Sequence, residues 1–221
     1  MSQTNQPLRL GILGGTFDPV HTAHIVLALE AKKQLNLDRI FLVPTRPWQK
    51  TARASDEDRL RMLQIACRDY PELEIDEREL QRAGQSYSID TLYSFRKQFP
   101  TDALFFILGG DQWKNLPTWI QWKHFPDLVN LALFERDEDL FQNPYGSDIS
   151  VQTVESFNQN PTLNHSIIQL TAPRFDVSST EIRTALFDDN RFKPIAGLDS
   201  KVQDYILEKE LYLPREGSHR I

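Results

Sequence analysis

The sequence predicts an α/β fold, with a doubly wound and mostly parallel sheet surrounded by helices. The apolar run 8–13 has the length of a buried strand, ends at two glycines, and is followed from about Thr22 by apolar residues at helical spacing. A second apolar run, 39–43, comes directly after that helix, and a strand, a helix and a strand at this spacing form a right-handed parallel unit. The run 103–108 predicts a further buried strand, again followed by two glycines. Ligands of such sheets bind beyond the carboxyl ends of the strands.

Length and composition indicate a single domain over 1–221, with a loose polar N-terminus at 1–7. The formal net charge of −6 argues against a general nucleic-acid-binding surface. The one cysteine, Cys67, excludes an internal disulfide and a cysteine-rich zinc site. No apolar leader or long apolar run is present, so we expect a cytoplasmic protein without a membrane partner. The polar stretch 136–164 is expected to be an irregular excursion, and 202–213 predicts an amphipathic helix.

The block that follows the first strand has the features of a phosphate site. Gly14 and Gly15 let a ligand approach the backbone closely, and a helix N-terminus presents N–H groups and a positive dipole end. His21 and His24 share one helix face, from which both imidazoles can donate to phosphate oxygens. Alone, a glycine pair is usually a plain turn, and paired histidines are more often surface or metal-binding residues. Their occurrence together favours the phosphate site, although neither a P-loop nor a dinucleotide fingerprint is present.

The segment 14–24, GGTFDPVHTAH, resembles the G-G-T-F-D-P-x-H-x-G-H signature of the nucleotidylyltransferases, a superfamily of adenylyl- and cytidylyltransferases with a Rossmann-like fold. Ala23 stands where the superfamily usually has glycine, which adds a methyl group beside the nucleotide. The resemblance implies catalytic roles for the two histidines. It also implies a set of ATP-binding residues: Gly14, Gly15, Thr16, Phe17, His21 and His24.

The loop 44–55 follows the second strand and is basic, which suits a phosphate clamp at the ligand edge of the sheet. A solvated surface loop is the alternative. The loop resembles the P-x-x-x-P-P-H-K motif of pyridine-nucleotide adenylyltransferases, with Trp48-Gln49 in place of Pro-His. By position, Lys50 is implied as a catalytic and substrate-binding residue. The loop contains three cations: Arg46, Lys50 and Arg53.

The segment 85–93 contains a turn before a helical run, where Ser88 is expected to cap the helix. Backbone N–H groups at such a turn suit a carboxylate or a phosphate, although helix capping alone explains the same residues equally well. The segment resembles the P-S-Y-T-x-D-T-L motif of nicotinate-nucleotide adenylyltransferases, whose main chain receives the pyridine carboxylate there. The resemblance implies three substrate-binding residues: Ser86, Tyr87 and Ser88.

The segment 109–122 resembles the G-A-D-x-x-x-x-L-P-x-W-x-x-W motif of the same family. Asp111 can accept hydrogen bonds from hydroxyls or an amine, and the resemblance implies Gly109 and Asp111 at the ATP site. Tryptophans at this spacing usually pack in the core. A tryptophan face also stacks on a cationic pyridinium ring, which contributes about 1–2 kcal/mol when desolvated. The motif implies that role for Trp119 and leaves Trp122 structural.

The segment 177–183, VSSTEIR, predicts a helix that starts at Ser179 after a capping box of Ser178 and Glu181. As I-S-S-T-x-I-R it resembles the second superfamily signature, which holds the β- and γ-phosphates of ATP. The resemblance therefore implies three further ATP-binding residues, of which the arginine is also catalytic: Ser179, Thr180 and Arg183.

Together the motifs cover about 8–213 and imply adenylyl transfer from ATP to nicotinate mononucleotide, which gives deamido-NAD and pyrophosphate for NAD biosynthesis. The substrate phosphate is itself the nucleophile, so catalysis is positioning and charge stabilisation. Mg²⁺ is expected to be bound mainly through ATP phosphates and water, with no metal-binding residues in the chain.

Two alternatives stay open from the sequence. The first is the same reaction on nicotinamide mononucleotide, which gives NAD. The second is a nucleotide-binding protein of this fold without catalytic activity, although binding alone needs neither both histidines nor the full set of cations. The sequence also leaves a homo-oligomer open.

Overall fold

The computed structural model describes residues 6–46, 52–134, 142–171, 173, 175–187 and 189–212, with 189 and 190 described by their backbone alone. The described residues form seven strands: β1 (Arg9–Gly15), β2 (Arg39–Pro44), β3 (Leu73–Ile75), β4 (Ala103–Gly109), β5 (Asn130–Phe134), β6 (Val151–Thr153) and β7 (Ile167–Leu170). They also form nine α-helices: α1 (Thr22–Gln34), α2 (Asp56–Cys67), α3 (Arg78–Gln81), α4 (Ser88–Gln98), α5 (Gly110–Asn115), α6 (Phe125–Leu128), α7 (Val154–Gln159), α8 (Ser179–Phe187) and α9 (Ser200–Glu208). No helix in this part of the chain is both long enough and apolar enough to cross a membrane.

The strands form one sheet in the order β3-β2-β1-β4-β5-β7-β6, and all their pairings are parallel. The predicted doubly wound α/β fold is therefore confirmed. The strand order reverses between β1 and β4, so the chain leaves these two neighbours toward opposite faces of the sheet. A crevice opens at such a switch point, outside the carboxyl ends of the strands. Gly15 ends β1 and Gly109 ends β4, which brings the two glycine turns of the sequence to this crevice.

Alternate residues of the central strands point into two apolar clusters, one on each face of the sheet. Leu13 and Phe105 belong to the cluster that packs α1, α2, α8 and α9, whereas Ile12 and Phe106 belong to the cluster that packs α4 to α6. Burial on both faces explains why these strands are continuous apolar runs. Cys67 lies in the first cluster, where burial raises the pKa of its thiol to about 12.

Side-chain caps mark the starts of α2 and α9. Ser55 precedes α2, accepts a hydrogen bond from the Asp58 N–H at 3.0 Å, and donates to its carboxylate. Asp199 caps α9, where its carboxylate accepts the backbone N–H groups of Lys201 at 2.9 Å and Val202 at 3.2 Å. The prediction that Ser88 caps α4 is wrong, because Tyr87 is the capping residue and Ser88 is the first residue of the helix. The predicted C-terminal helix begins earlier, at Ser200, and ends at Glu208.

The stretch 136–164 departs from the predicted irregular excursion. Its part 142–164 contains β6 and α7, whereas 135–141 lie outside the described residues. The strand forms because 151–153 align with β7, and the helix is anchored by Phe157, whose fully buried ring meets Phe105 edge-on at 5.5 Å. The buried Phe157 ring and the pairing with the edge of β7 thus order this part of a polar segment. Of the predicted loose N-terminus, residues 1–5 lie outside the described part.

Gly197 connects the C-terminal region to the start of α1. Its carbonyl accepts the backbone N–H of Thr22 at 2.8 Å and the hydroxyl of the same residue at 2.9 Å. It has a φ of +77°, and a Cβ at this position would lie 2.6 Å from a methyl carbon of Val177. Both the conformation and the contact therefore require glycine.

We predict that Gly197→Ala lowers the free energy of unfolding by about 2–4 kcal/mol, through left-handed strain and overpacking together. The matched control is Gly146→Ala, where φ is +63° but no atom lies within 4 Å of the added Cβ. That variant should lose only about 1–2 kcal/mol. Urea unfolding measures both, and equal losses would contradict the role of the Val177 contact.

Candidate active site

Three cavities open at the crevice between β1 and β4. The aromatic cavity, of about 290 Å³, is lined by residues that include Phe106, Trp119 and the turn 86–88. The histidine cavity, of about 480 Å³, is lined by residues that include His21, His24 and Asp111. The arginine cavity, of about 240 Å³, is lined by Thr16, Asp18, Ala52, Arg53, Ser179, Thr180 and Arg183. Thr16 lines all three cavities, so they meet at the end of the first glycine turn.

The structure brings the predicted site residues to these cavities. The histidine cavity contains most of the predicted ATP-binding residues: Gly14, Gly15, Thr16, Phe17, His21, His24, Gly109, Asp111 and Ser179. The arginine cavity contains the other two together with Ser179: Thr180 and Arg183. The aromatic cavity contains the predicted substrate-binding residues of the later segments: Ser86, Tyr87, Ser88 and Trp119. Lys50 and the neighbouring Trp48-Gln49 lie outside the described residues.

The two histidines form a close, tilted ring pair at the start of α1. Their ring centroids are 3.8 Å apart at an interplanar angle of 36°, and Phe17 meets His24 edge-on at 4.9 Å. The backbone N–H of His21 donates to Nδ1 of His24 at 3.2 Å. Because Nδ1 is then an acceptor, the proton of the neutral His24 ring lies on Nε2. This bond fixes both the tautomer and the orientation of the ring.

Both rings are neutral in the free protein at pH 7. Burial lowers the pKa of His21 to about 4, with a small opposing effect from Glu181. Burial and the neighbouring His21 ring hold the pKa of His24 well below its usual range. Among the described residues, the buried Nδ1 of His21 has no hydrogen-bond partner. An unsatisfied buried polar atom of this kind is costly and calls for a functional explanation.

Three backbone N–H groups around the N-terminus of α1 have hydrogen-bond partners within the protein. The N–H of Thr22 donates to the carbonyl of Gly197 at 2.8 Å, and the N–H of His24 donates to the carbonyl of His21 at 2.9 Å. With the His21 N–H bonded to the His24 ring, three groups at this helix start are already satisfied. These bonds engage part of the helix start, and the phosphate site there stays a prediction. The imidazoles of His21 and His24 line the histidine cavity beside it.

Gly15, which lines the histidine and aromatic cavities, also makes room for a neighbouring aromatic ring. A Cβ on this residue would lie 2.8 Å from the ring of Phe17, whose φ of +49° turns the side chain back over the strand end. Glycine is therefore needed so that Phe17 can pack there. The ring in turn supports His24, and the glycine turn positions the histidine pair indirectly.

The aromatic cavity contains an acidic residue that the sequence did not indicate. Glu79 lies on the short helix α3, is 4% exposed, and accepts a hydrogen bond from the Thr91 hydroxyl at 2.6 Å. Burial raises the pKa of this carboxyl, and the Thr91 hydroxyl and the charge of Arg82 oppose that rise. Arg82 also donates to the Ser86 hydroxyl at 2.5 Å. This buried network holds the 86–88 turn at the start of α4, and a four-residue helix gives no periodicity from which to predict it.

The arginine cavity contains the predicted phosphate ligands of α8. The capping box is present, since Glu181 N–H donates to Ser178 Oγ at 3.2 Å and that hydroxyl donates to the Glu181 carboxylate. Arg183 donates to the Asp18 carbonyl at 2.6 Å and to the Thr180 hydroxyl at 3.0 Å. Of the basic loop, Arg53 lines this cavity, whereas Arg46 lines the aromatic cavity and pairs with Asp56.

Arg59 holds Thr16 at the point where the three cavities meet, a role that the sequence did not indicate. It is fully buried on α2, donates to the Thr16 carbonyl at 2.5 Å, and pairs with Asp56 at 2.6 Å. A buried cation is tolerated because this partner and the carbonyl compensate its desolvation. A charged residue near the start of a helix is ordinarily solvated, so the sequence alone gives no signal for this role.

The depressed pKa of His21 makes the stability of the protein sensitive to acid. The folded protein keeps this ring neutral down to about pH 4, whereas the unfolded chain binds the proton near the usual value of 6.5. The unfolded state therefore binds more protons between these values, and the free energy of unfolding falls as the pH falls through that range.

We predict that the free energy of unfolding falls by about 2 kcal/mol less in His21→Asn than in the wild-type protein when the pH is lowered from 7.5 to 5. Urea unfolding at the two pH values measures this difference. The control is His165→Asn, because His165 is 53% exposed and should leave the acid sensitivity unchanged. An unchanged pH dependence in His21→Asn would show that this ring is not buried in its neutral form.

Comparison with known proteins agrees with this site. A family model described as cytidylyltransferase-like matches residues 12–185. Two curated relatives carry the name "probable nicotinate-nucleotide adenylyltransferase". The one from Shewanella frigidimarina is 35% identical over 212 residues, 93% of this chain and 100% of the relative. The one from Legionella pneumophila (strain Paris) is 38% identical over 212 residues, 92% of this chain and 98% of the relative.

A solved structure shows the same fold at low sequence identity. It is that of Plasmodium falciparum nicotinic acid mononucleotide adenylyltransferase complexed with NaAD, which aligns with a TM-score of 0.72 at 20% identity. The alignment covers 93% of this chain and 97% of that chain. With the signature segments at one crevice and relatives that match over nearly their whole length, this chain belongs to the nicotinate-nucleotide adenylyltransferase family of cytidylyltransferase-like proteins.

Proposed function

We propose that this protein transfers the adenylyl group of ATP to nicotinate mononucleotide and releases pyrophosphate, forming deamido-NAD for NAD biosynthesis. The observation that carries the proposal is the meeting of three chemically different cavities at Thr16. One is aromatic, one contains neutral imidazoles and one contains two arginines. Adenylyl transfer brings together three such parts: a pyridine nucleotide, an α-phosphate with its nucleoside, and a leaving pyrophosphate.

ATP fits across the histidine and arginine cavities. Its adenosine enters the larger histidine cavity, where Asp111 accepts hydrogen bonds from hydroxyls or the amine. Its α-phosphate lies near Thr16, His21 and His24, and its β- and γ-phosphates lie beside Arg183. Hydroxyls, arginines and the first N–H groups of α8 suit a phosphate chain.

Nicotinate mononucleotide fits the aromatic cavity. Trp119, whose ring meets Phe106 edge-on at 6.2 Å, offers a face for the pyridinium ring. The turn at Ser86 to Ser88 faces the same cavity, and its backbone N–H groups suit the carboxylate of the base. This arrangement leaves the phosphate of the mononucleotide to point toward Thr16.

In the reaction, a phosphate oxygen of nicotinate mononucleotide attacks the α-phosphorus of ATP. The bond from that phosphorus to the bridging oxygen of the β-phosphate breaks, and pyrophosphate leaves with the electron pair. The nucleophile is already ionised, so the protein positions the groups and stabilises the developing charge. The triphosphate raises the pKa of His21 and His24, since a nearby anion favours the charged form of an imidazole.

We expect Mg²⁺ to enter this site bound to the phosphates of ATP. The arginine cavity offers cationic and hydroxyl side chains, and no group of three or more His, Cys, Asp or Glu residues lies together in the described part of the chain. Such a donor set suits phosphate better than direct coordination of a divalent metal. When bound, the ion neutralises phosphate charge, and ATP oxygens and water would supply its ligands.

The amide substrate is the second candidate, favoured by one observation. Glu79 places a carboxylate in the wall of the aromatic cavity, and an amide NH₂ would need an acceptor there. Its oxygens, however, already accept from the Thr91 and Ser86 hydroxyls and the Arg46 backbone. With these acceptor positions occupied, Glu79 offers little to an amide NH₂, and the backbone N–H groups of the 86–88 turn carry the argument for the acid.

Pyrophosphate release with ATP and Mg²⁺ tests the proposal, with nicotinate and nicotinamide mononucleotide compared side by side. We expect a large preference for the acid. A preference for the amide would assign the second candidate function. Release with neither substrate, together with measurable ATP binding, would indicate a binding protein without catalytic activity.

We predict that His24→Ala lowers kcat about 100- to 1000-fold while the protein stays folded, because an N–H donor at the developing charge is lost. Steady-state rates and circular dichroism measure the two effects. The control is His124→Ala, whose ring is 60% exposed and pairs with Asp127. Near-normal turnover of His24→Ala would contradict the mechanism.

We further place the reaction in the cytoplasm, with ATP and nicotinate mononucleotide as partners and without nucleic acid. These expectations rest on the acidic composition and on the substrates. A homo-oligomer stays open.

A further inference from the structure

Asp18 joins the loop after β1 to the loop after β2. It is 6% exposed, and its carboxylate accepts the backbone N–H of Arg53 at 2.7 Å and that of Ala54 at 3.0 Å. A buried carboxylate with two main-chain donors holds those donors firmly, because an unpaired buried charge is costly. The course of the chain at Arg53, which lines the arginine cavity, therefore depends on this side chain.

The second arginine of the cavity depends on the same residue. Arg183 donates to the backbone carbonyl of Asp18 at 2.6 Å. Ser179 donates to the carbonyl of the next residue, Pro19, at 2.9 Å. One short segment after the glycine turn thus fixes the groups that line the arginine cavity from both sides.

Tyr212 supplies the remaining donor to the carboxylate. Its hydroxyl donates to Oδ1 of Asp18 at 2.8 Å, across 194 positions of the sequence. Burial and the Asp18 charge raise the pKa of this phenol, so it stays a donor at any working pH. Tyr212 has a φ of +62° and Glu210 a φ of +53°. Two left-handed residues other than glycine indicate that contacts outweigh backbone strain in directing this ring inward.

We propose that Tyr212 is a positioning residue for the pyrophosphate group, acting through the Asp18 carboxylate on Arg53 and Arg183. The proposal rests on the proposed function only in identifying the bound group as pyrophosphate. Tyr212 touches no reacting atom. It completes the set of donors that holds Asp18, and Asp18 holds both arginines of the cavity.

The Tyr212→Phe variant tests this positioning role, because it removes only the phenol oxygen. Oδ1 of Asp18 then keeps the Ala54 N–H alone, so the segment that aligns the two arginines loosens. We expect the dissociation constant of pyrophosphate, measured by calorimetry, to rise about tenfold, as for the loss of one charge-assisted hydrogen bond. In the reverse reaction, KM for pyrophosphate should rise equally, while KM for nicotinate mononucleotide in the forward reaction changes less than twofold.

Tyr205→Phe is the matched control. It lies in the same C-terminal region, and its hydroxyl donates at 2.9 Å to Asp58 on α2, a residue that lines none of the three cavities. It should leave both constants unchanged. If Tyr212 had a purely structural role, Tyr212→Phe would lower Tm, but its dissociation constant for pyrophosphate would equal that of Tyr205→Phe. That result would overturn the inference.

The binding experiment separates this inference from the proposed function. Wild-type protein that binds pyrophosphate but does not turn over nicotinate mononucleotide would contradict the function, and a tenfold loss in Tyr212→Phe would still support the inference. Wild-type protein that does not bind pyrophosphate, or Tyr212→Phe that binds it as tightly as wild type does, would overturn the inference.

Discussion

The parallel alignment of β1 with β4 is the constraint on which the rest of the structure depends. Because the strand order reverses between them, the two loops that follow leave toward opposite faces and open a crevice. The glycine turns, the histidine pair and Asp111 come to one place only through this arrangement. Interleaved apolar clusters on both faces hold the two strands in register, so the site rests on the most buried part of the protein.

Electrostatically the site is unlike the rest of the molecule. The chain carries a net charge of −6, yet the arginine cavity is lined by cations, and the histidine cavity contains rings that burial keeps neutral. A neutral pair can lie within stacking distance without mutual repulsion. Under the proposed function, an anionic substrate would meet N–H donors that are already in place, and the rings would become charged only when it arrives.

Local signals in the sequence were enough for much of the fold. Apolar runs predicted the central strands, the capping box at Ser178 predicted the start of α8, and glycine pairs marked the ends of β1 and β4. Long-range contacts were beyond such signals. The N–H of Thr22 is bonded to Gly197, which no local pattern at either residue reveals.

Buried polar residues were missed for a related reason. Arg59 and Glu79 are residue types that usually lie on the solvated surface. They are buried here only because other segments pack over them. No local pattern reveals the role of Asp18, because its partners lie far along the chain, at 53, 54 and 212. The roles that the family resemblance gave to Ser86, Trp119 and Arg183 stay predictions, although the structure brings these residues to the cavities that such roles require.

The burial of Cys67 has a consequence for the chemistry of the protein outside its active site. The thiolate is the form that reacts with peroxides and alkylating reagents. Because burial raises the pKa of this thiol to about 12, very little of that form is present at neutral pH. The chain has no other sulfhydryl. Its activity should therefore be indifferent to oxidants that disable cysteine-dependent enzymes, and maleimide reagents should label it only once it unfolds.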